Sequence, residues 1–400
     1  MTHPILPIFA VALLLSTTAC GTIREDVPKG PLARVLFPDP ETADEALESY
    51  YQTIPNDALP IAPEGVPLPV SDAVLTKILL GSCNDEEQAS PALARLAQED
   101  ADLFIMMGDN VYGDRNGSTY VTNDAELTEL RDAFAELGSR AEFQSVRAKH
   151  PMMVAWDDHD YGANDAGRSF AFRRFAERIH ERFWGLDDQD VGNWDGTYYA
   201  RSFGPEGQRV QIIMLDTRFF RSNLKGTDEY GAPGKERYIP ATDPHQDMLG
   251  DDQWTWLSNE LRKPADLRLI ISSIQILPTT HGWESWDKLP LERQRLFDLI
   301  DRIGADNIVF ASGDRHAAFL YEDAEAMSYP AYEITTSSLN VPIREENEEI
   351  DARQIGSGFG PANYGEITMD WNAGEVSLSV RDESGEIANQ VIIDLEALKN

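Results

Sequence analysis

Four short apolar runs in this sequence each lead straight into residues able to bind cations or move protons. Ile78-Leu79-Leu80 runs into Gly81-Ser82-Cys83-Asn84-Asp85. Leu103 to Met107 runs into Gly108-Asp109-Asn110-Val111-Tyr112-Gly113-Asp114. Met152 to Trp156 runs into Asp157-Asp158-His159-Asp160, and Ile308 to Ala311 into Ser312-Gly313-Asp314-Arg315-His316. Carboxylate, imidazole, thiolate and phenolate groups are metal ligands. Each piece alone is weak. Gly-Asp after a strand is a common turn, Asp-Asp-His-Asp can be a charged loop, and a lone cysteine is most often a small buried hydrophobe. Four such clusters at four strand ends carry more weight. Gathered at the carboxyl edge of a sheet, where ligands collect in open α/β folds, they would repel one another unless cations held them.

The elements that must position these residues follow from apolar periodicity. Strands are predicted at 78–80, 103–107, 152–156, 196–203, 210–215, 267–276, 308–311, 332–337, 366–371, 376–380 and 390–393. Helices are predicted at 41–51, 90–98, 124–137, 169–184, 252–261 and 291–303. Ser90-Pro91 supplies an N-cap and first-turn signal. Phe172, Phe175, Ile179 and Phe183 line one face of the fourth helix. Continuous apolar strands interleaved with helices indicate a buried α/β sheet, and the strand-rich end indicates a mixed or second sheet. The polar stretches 221–250 and 341–363 are too long for simple connections and are expected to face substrate.

The strand-end motifs resemble the calcineurin-like metallophosphoesterases, and more closely the PhoD-like phosphatases. Gly-Ser-Cys-Asn, Gly-Asp-Asn-Val-Tyr-Gly-Asp, Trp-Asp-Asp-His-Asp-Tyr-Gly-x-Asn-Asp and Ser-Gly-Asp-Arg-His carry the resemblance. Leu215-Asp216-Thr217-Arg218 and Gln253-Trp254-x-x-Leu257 add to it over residues 75–340. The resemblance implies a metallophosphoesterase-like sandwich of mixed β-sheets flanked by helices. It implies that Asp109 bridges two metals, that Tyr112 and Cys83 ligate iron, and that Asp158, Asp314 and His316 complete the metal set. His159 would contact the scissile phosphate. Arg315, with Arg168, Arg218 and Arg115, is a candidate phosphate clamp. Gln275 and His281 both fall in the region of the family's middle histidine motif, and the choice between them stays open.

Thiolate and phenolate suit a high-valent transition metal, and clustered Asp and Asn oxygens suit calcium. Fe3+ with Ca2+ is the pairing the resemblance implies. The expected reaction is hydrolysis of phosphate mono- or diesters by a metal-bound hydroxide at a dinuclear site. Two other readings are a non-catalytic, calcium-stabilised surface protein of the same fold, and a metal hydrolase of a non-phosphate ester.

Bulk properties bound the setting. The 400 residues hold 34 Lys and Arg against 69 Asp and Glu, a net charge of −35. Such a surface repels nucleic acid and anionic membranes at long range. Residues 1–19 read as a signal peptide, because the apolar run Ile5–Leu15 is too short to span a bilayer. Cys20, after small residues, reads as a lipidation site, with an ordinary cleaved signal peptide as the alternative. Lipidation makes the protein an exported lipoprotein of the periplasm or cell envelope, tethered to membrane only there. Residues 20–70 read as a tether or extended cover and 71–400 as the catalytic domain, taken as a monomer. The cysteines are Cys20 and Cys83, so a lipidated Cys20 leaves Cys83 without an intramolecular partner, and metal ligation supplies its reason.

Overall fold

In a computed structural model, residues 40–115, 124–342 and 351–399 are described, with side chains from residue 46. The expected leader and Cys20 lie outside them. Among the described residues no helix is long and apolar enough to cross a membrane.

Among the described residues, twelve strands form two six-stranded sheets. The first runs β12-β11-β10-β1-β2-β3, built from β1 (Lys77–Gly81), β2 (Leu103–Met107), β3 (Met152–Ala155), β10 (Asn363–Asp370), β11 (Glu375–Asp382) and β12 (Ile387–Asp394). The second runs β4-β5-β6-β7-β9-β8, built from β4 (Tyr199–Phe203), β5 (Val210–Met214), β6 (Leu267–Ile271), β7 (Ile308–Ser312), β8 (Phe319–Asp323) and β9 (Ala331–Thr335). β1, β2 and β3 pair in parallel, as do β5, β6, β7 and β9. Antiparallel strands complete both sheets. The central parallel strands are mostly apolar and buried along nearly their whole length because both faces are covered. One contiguous apolar cluster runs through the molecule.

The helices are α1 (Pro40–Tyr51), α2 (Pro91–Leu96), α3 (Thr128–Ser139), α4 (Ala141–Lys149), the single turn α5 (Asp158–Tyr161), α6 (Arg173–Trp184), α7 (Gly250–Glu260) and α8 (Pro290–Ile303). Ser90 Oγ accepts from Leu93 N at 3.4 Å and starts α2 as its sequence predicts. α6 buries Phe175, Ile179 and Phe183, and ends where Gly185 takes φ 70°. Tyr51, at the end of α1, stacks on Phe175 with ring centroids 4.4 Å apart. The end of α1 thus lies against the α6 surface.

Several boundaries differ from the sequence reading for physical reasons. Helix α3 starts at Thr128 rather than 124, because the Asp124 carboxylate takes the amides of Glu126 and Thr128 and makes a turn first. β6 ends at Ile271 rather than 276. Beyond it the amides of Ile276 and Leu277 bond the buried Glu333 carboxylate, at 3.0 and 2.6 Å, instead of a neighbouring strand. Helix α4 and strand β8 were not legible: α4 buries only Phe143 and Val146, too few anchors to show a period.

Candidate metal centre

The carboxyl ends of β1, β2 and β3 in one sheet face the carboxyl end of β7 in the other, and the predicted motifs meet there. Ligand atoms of Cys83, Asp109 and His316 lie within 4.8 Å of one another. So do those of Asp109, Asp158 and His159, and those of Asp109, Asp157, Asp158 and Asp314. Asp109 belongs to all three groups. The Tyr112 ring stacks on His159 at 4.2 Å and lies 6.5 Å from the His316 ring. All eight residues expected in the site are therefore gathered, with Arg315 on the wall of a cavity of about 210 Å3 beside Asp314 and His316.

The backbone is bent sharply to achieve this. Cys83, Asp109, Asp165, Asp314 and His316 all have φ between 50° and 66°. The left-handed region costs a non-glycine residue roughly 1–2 kcal/mol, so five such residues in and beside the ligand cluster mark a functional constraint. Gly108, at φ 116°, precedes Asp109 because a Cβ there would stand 2.6 Å from the Asp157 Cβ.

A shell of hydrogen bonds orients the ligands. Ser337, just past β9, points its hydroxyl at the Cys83 sulfur, 3.0 Å away, and accepts from the His316 amide at 2.7 Å. His316 Nδ1 bonds the Val341 carbonyl, which can only accept, so Nε2 keeps the lone pair for ligation. His159 Nδ1 meets Asp114 Oδ1 at 2.5 Å. Asp160 ties two loops together, its carboxylate taking the amides of Asn110 and Asp157 at 2.8 and 2.9 Å.

Electrostatics mark the cluster as a place for cations. Burial, then the Asp158 charge, pushes the Asp109 carboxyl well up. Burial, then Asp157 and Asp158, does the same to Asp314, and burial raises Cys83 and Tyr112. Burial disfavours charge on Asp158 too, yet His159 and Arg218 hold it below the ordinary carboxylate range. Burial opposes charge on His159, but Asp158 and Asp109 outweigh it and raise its pKa.

The donor set fits metal ions. The Tyr112 hydroxyl, Asp157 Oδ2 and Asp158 Oδ1 are buried atoms with no hydrogen-bond partner among the described residues. Unsatisfied buried oxygens are costly, and a cation satisfies several at once. Cys83, Tyr112 and His316 offer the soft and phenolic donors, and the aspartates the hard ones.

The sequence profile of PhoD-like phosphatases matches residues 78–386. The chain belongs to the PhoD-like phosphatase family. It is 26% identical over 296 residues to alkaline phosphatase D of Bacillus subtilis strain 168, covering 66% of this chain. The chain spans about half, 50%, of that relative's length. A solved structure of PhoD superposes with a TM-score of 0.61 at 18% identity, covering 81% of this chain and 73% of that one. At that identity the likeness speaks for the fold.

Other expectations for this PhoD-like site resolve differently. Arg218 is fully buried, its guanidinium paired with Asp157 and Glu284, so it braces the site from behind. Arg115 pairs with Asp85 and Glu87, and Arg168 lies exposed, off the cavity wall. Gln275 bonds Thr335 and His281, at 2.9 and 3.0 Å, and neither Gln275 nor His281 joins a ligand group among the described residues. Asp157, Asp165, Glu284, Asp114 and Ser337 were not singled out in the sequence. Asp114 and Asp157 sit inside the strand-end motifs, which was the available signal. Glu284 occupies a loop with no pattern of its own, and Ser337 ends the predicted strand 332–337, which stops at Thr335 in the structure.

Proposed function

We propose that this chain hydrolyses phosphate esters at a multinuclear metal centre held by Cys83, Asp109, Tyr112, Asp158, Asp314 and His316. The observation that carries this reading is the convergence of three ligand groups on Asp109 from the strand ends of two sheets. Fe3+ on the Cys83, Tyr112 and His316 side, with Ca2+ on the aspartate side, is the assignment that donor softness supports. Bound cations there supply Lewis acidity toward a phosphoryl oxygen and acidify a water ligand.

The chain's own residues do the rest. Asp114 holds His159 by Nδ1, which leaves Nε2 to give its proton to the leaving-group oxygen. Arg315 on the cavity wall orients a phosphoryl oxygen by its guanidinium fork. The strained backbone at the ligands fixes their positions before substrate arrives.

We extend the proposal to cellular setting: a monomeric, exported lipoprotein with residues 1–19 as leader, Cys20 as the lipid-bearing terminus, 20–70 as the connecting segment and 71–400 as the catalytic domain.

The test is hydrolysis of p-nitrophenyl phosphate and bis(p-nitrophenyl) phosphate by purified protein, alongside metal analysis. Turnover should require bound metal, vanish with chelator and return on adding ferric and calcium ions. Inhibition by vanadate should accompany it. Metal-bound protein that hydrolyses neither ester sinks the proposal.

A further inference from the structure

The cavity has an outer rim that the metal ligands do not form, and two loops build it. One is the turn of residues 226–238, closed by the bridges Gly226–Tyr238 and Ala232–Lys235. The other is residues 281–284. The Gly282 carbonyl accepts from the amides of Arg237 and Tyr238, at 3.1 and 2.7 Å. The two backbones are so close that a Cβ on Gly282 would stand 2.3 Å from the Glu236 nitrogen. Below them, Asp165 pairs with Arg237 and accepts from the Tyr238 hydroxyl at 2.7 Å. The rim is therefore a fixed structure, and it presents Arg237 and Trp283 to the cavity.

Trp283 is 38% exposed, at the mouth of a cavity whose other walls are charged or polar. The Arg315 guanidinium carbon stands 6.0 Å from its ring centroid, within reach of a cation–π contact. An exposed indole beside a guanidinium is a stacking surface, and planar rings take such surfaces with little regard to their substituents. The cavity, about 210 Å3, is below the roughly 300–1,000 Å3 that encloses a drug-sized ligand. A phosphate seated at the aspartates must then send the larger part of its leaving alcohol across the rim.

We propose that Trp283, beside Arg315 and on the same cavity rim as Arg237, is the leaving-group subsite, and that it selects phosphate esters whose alcohol carries a planar ring. The proposal rests on the phosphoesterase reading above. The ring is an aryl group or a nucleobase, two sources of one chemistry.

Full-length protein supplied with ferric iron and calcium is assayed on benzyl phosphate and cyclohexylmethyl phosphate, whose alcohols match in size and closely in acidity. We expect kcat/KM for the benzyl ester to be about tenfold the higher. Trp283→Ala should bring that ratio to about two or less, and Trp283→Phe should keep most of it. Calorimetric titration of benzylphosphonate, which is not hydrolysed, should show a matching loss of affinity in Trp283→Ala. Comparing uridine 5′-monophosphate with ribose 5-phosphate separates the sources: a Trp283-dependent preference there assigns nucleosides, and its confinement to the benzyl pair assigns aryl esters. Equal rates on the benzyl pair, or a ratio unchanged in Trp283→Ala, overturn the subsite. Hydrolysis of none of these monoesters would overturn the subsite, whereas the phosphoesterase reading falls only if bis(p-nitrophenyl) phosphate is left intact as well.

Discussion

Asp114 Oδ1 lies 2.5 Å from Nδ1 of His159, on the far side of the imidazole from the nitrogen left to face the cavity. The pair fixes both the tautomer and the tilt of the ring. Asp114→Asn should lower kcat about 10–100-fold with a smaller effect on KM. His159→Gln should cost about 100–10,000-fold. Steady-state kinetics on an aryl phosphate checks both, and an Asp114→Asn enzyme of unchanged kcat contradicts the assigned role.

Cys83 and Tyr112 are the donors expected to colour a bound ferric ion. The purified protein should show a visible charge-transfer band. Tyr112→Phe should shift or abolish it, and Cys83→Ala should lower the iron content. Ser337→Ala removes the hydroxyl that points at the sulfur. It should weaken iron retention about 10–100-fold while leaving the band in place when iron is in excess. Absorption spectra with parallel metal analysis decide the matter.

Arg218 is a buried cation between Asp157 and Glu284, and Arg221 meets the other Glu284 oxygen at 2.6 Å. Arg218→Met leaves those carboxylates facing each other without it. Breaking a buried pair in this way costs about 3–5 kcal/mol. The urea midpoint should drop accordingly, and bound metal should recover part of the loss by supplying positive charge nearby. A midpoint unchanged from wild type would show that Arg218 is dispensable to the brace.

His180 gives the fold a sensitivity to acid that is independent of the metal site. It is fully buried among Phe134, Trp156 and Trp184, neither ring nitrogen has a hydrogen-bond partner among the described residues, and burial lowers its pKa to about 3. The unfolded chain binds a proton near pH 6.5 and the folded one does not. Stability is therefore full above pH 6.5 and falls as the pH drops toward about 3. Between pH 7.5 and 5 this group should cost about 2 kcal/mol. His180→Phe should lose that much less over the same interval, as measured by denaturant unfolding at the two pH values.

Gly282→Ala should disturb the cavity rim, since the new methyl group meets backbone of residues 235 and 236, which cannot swing aside. KM should rise several-fold while the metal content stays constant. Equal KM values would mean that the 226–238 turn is not coupled to substrate entry.

How much of this was legible depended on where the information sits. Cys83, Asp109, Asp158 and Asp314 were readable because each follows an apolar run, and a buried parallel strand announces its own end. That β1, β2 and β3 belong to one sheet and β7 to another was not readable, since strand order depends on pairing between distant segments. Ser337 and Val341 act on Cys83 and His316 from far along the chain, through one hydroxyl and one carbonyl that no residue pattern marks. Arg218 was one of four candidate phosphate clamps because it lies in a motif, with a structural salt bridge as the alternative. Full burial against two carboxylates, a tertiary fact, gives it a different task.

The ligands around Asp109 come from positions 83 to 316 and from both sheets, so neither sheet alone can present a complete set. A metal ion that needs this full set would find it only once both sheets are in place. Held there, it would act as a rivet between the two halves, resisting separation in proportion to its affinity and free concentration. Metal-poor surroundings would then leave a looser, more readily degraded form, linking the protein's lifetime to metal supply.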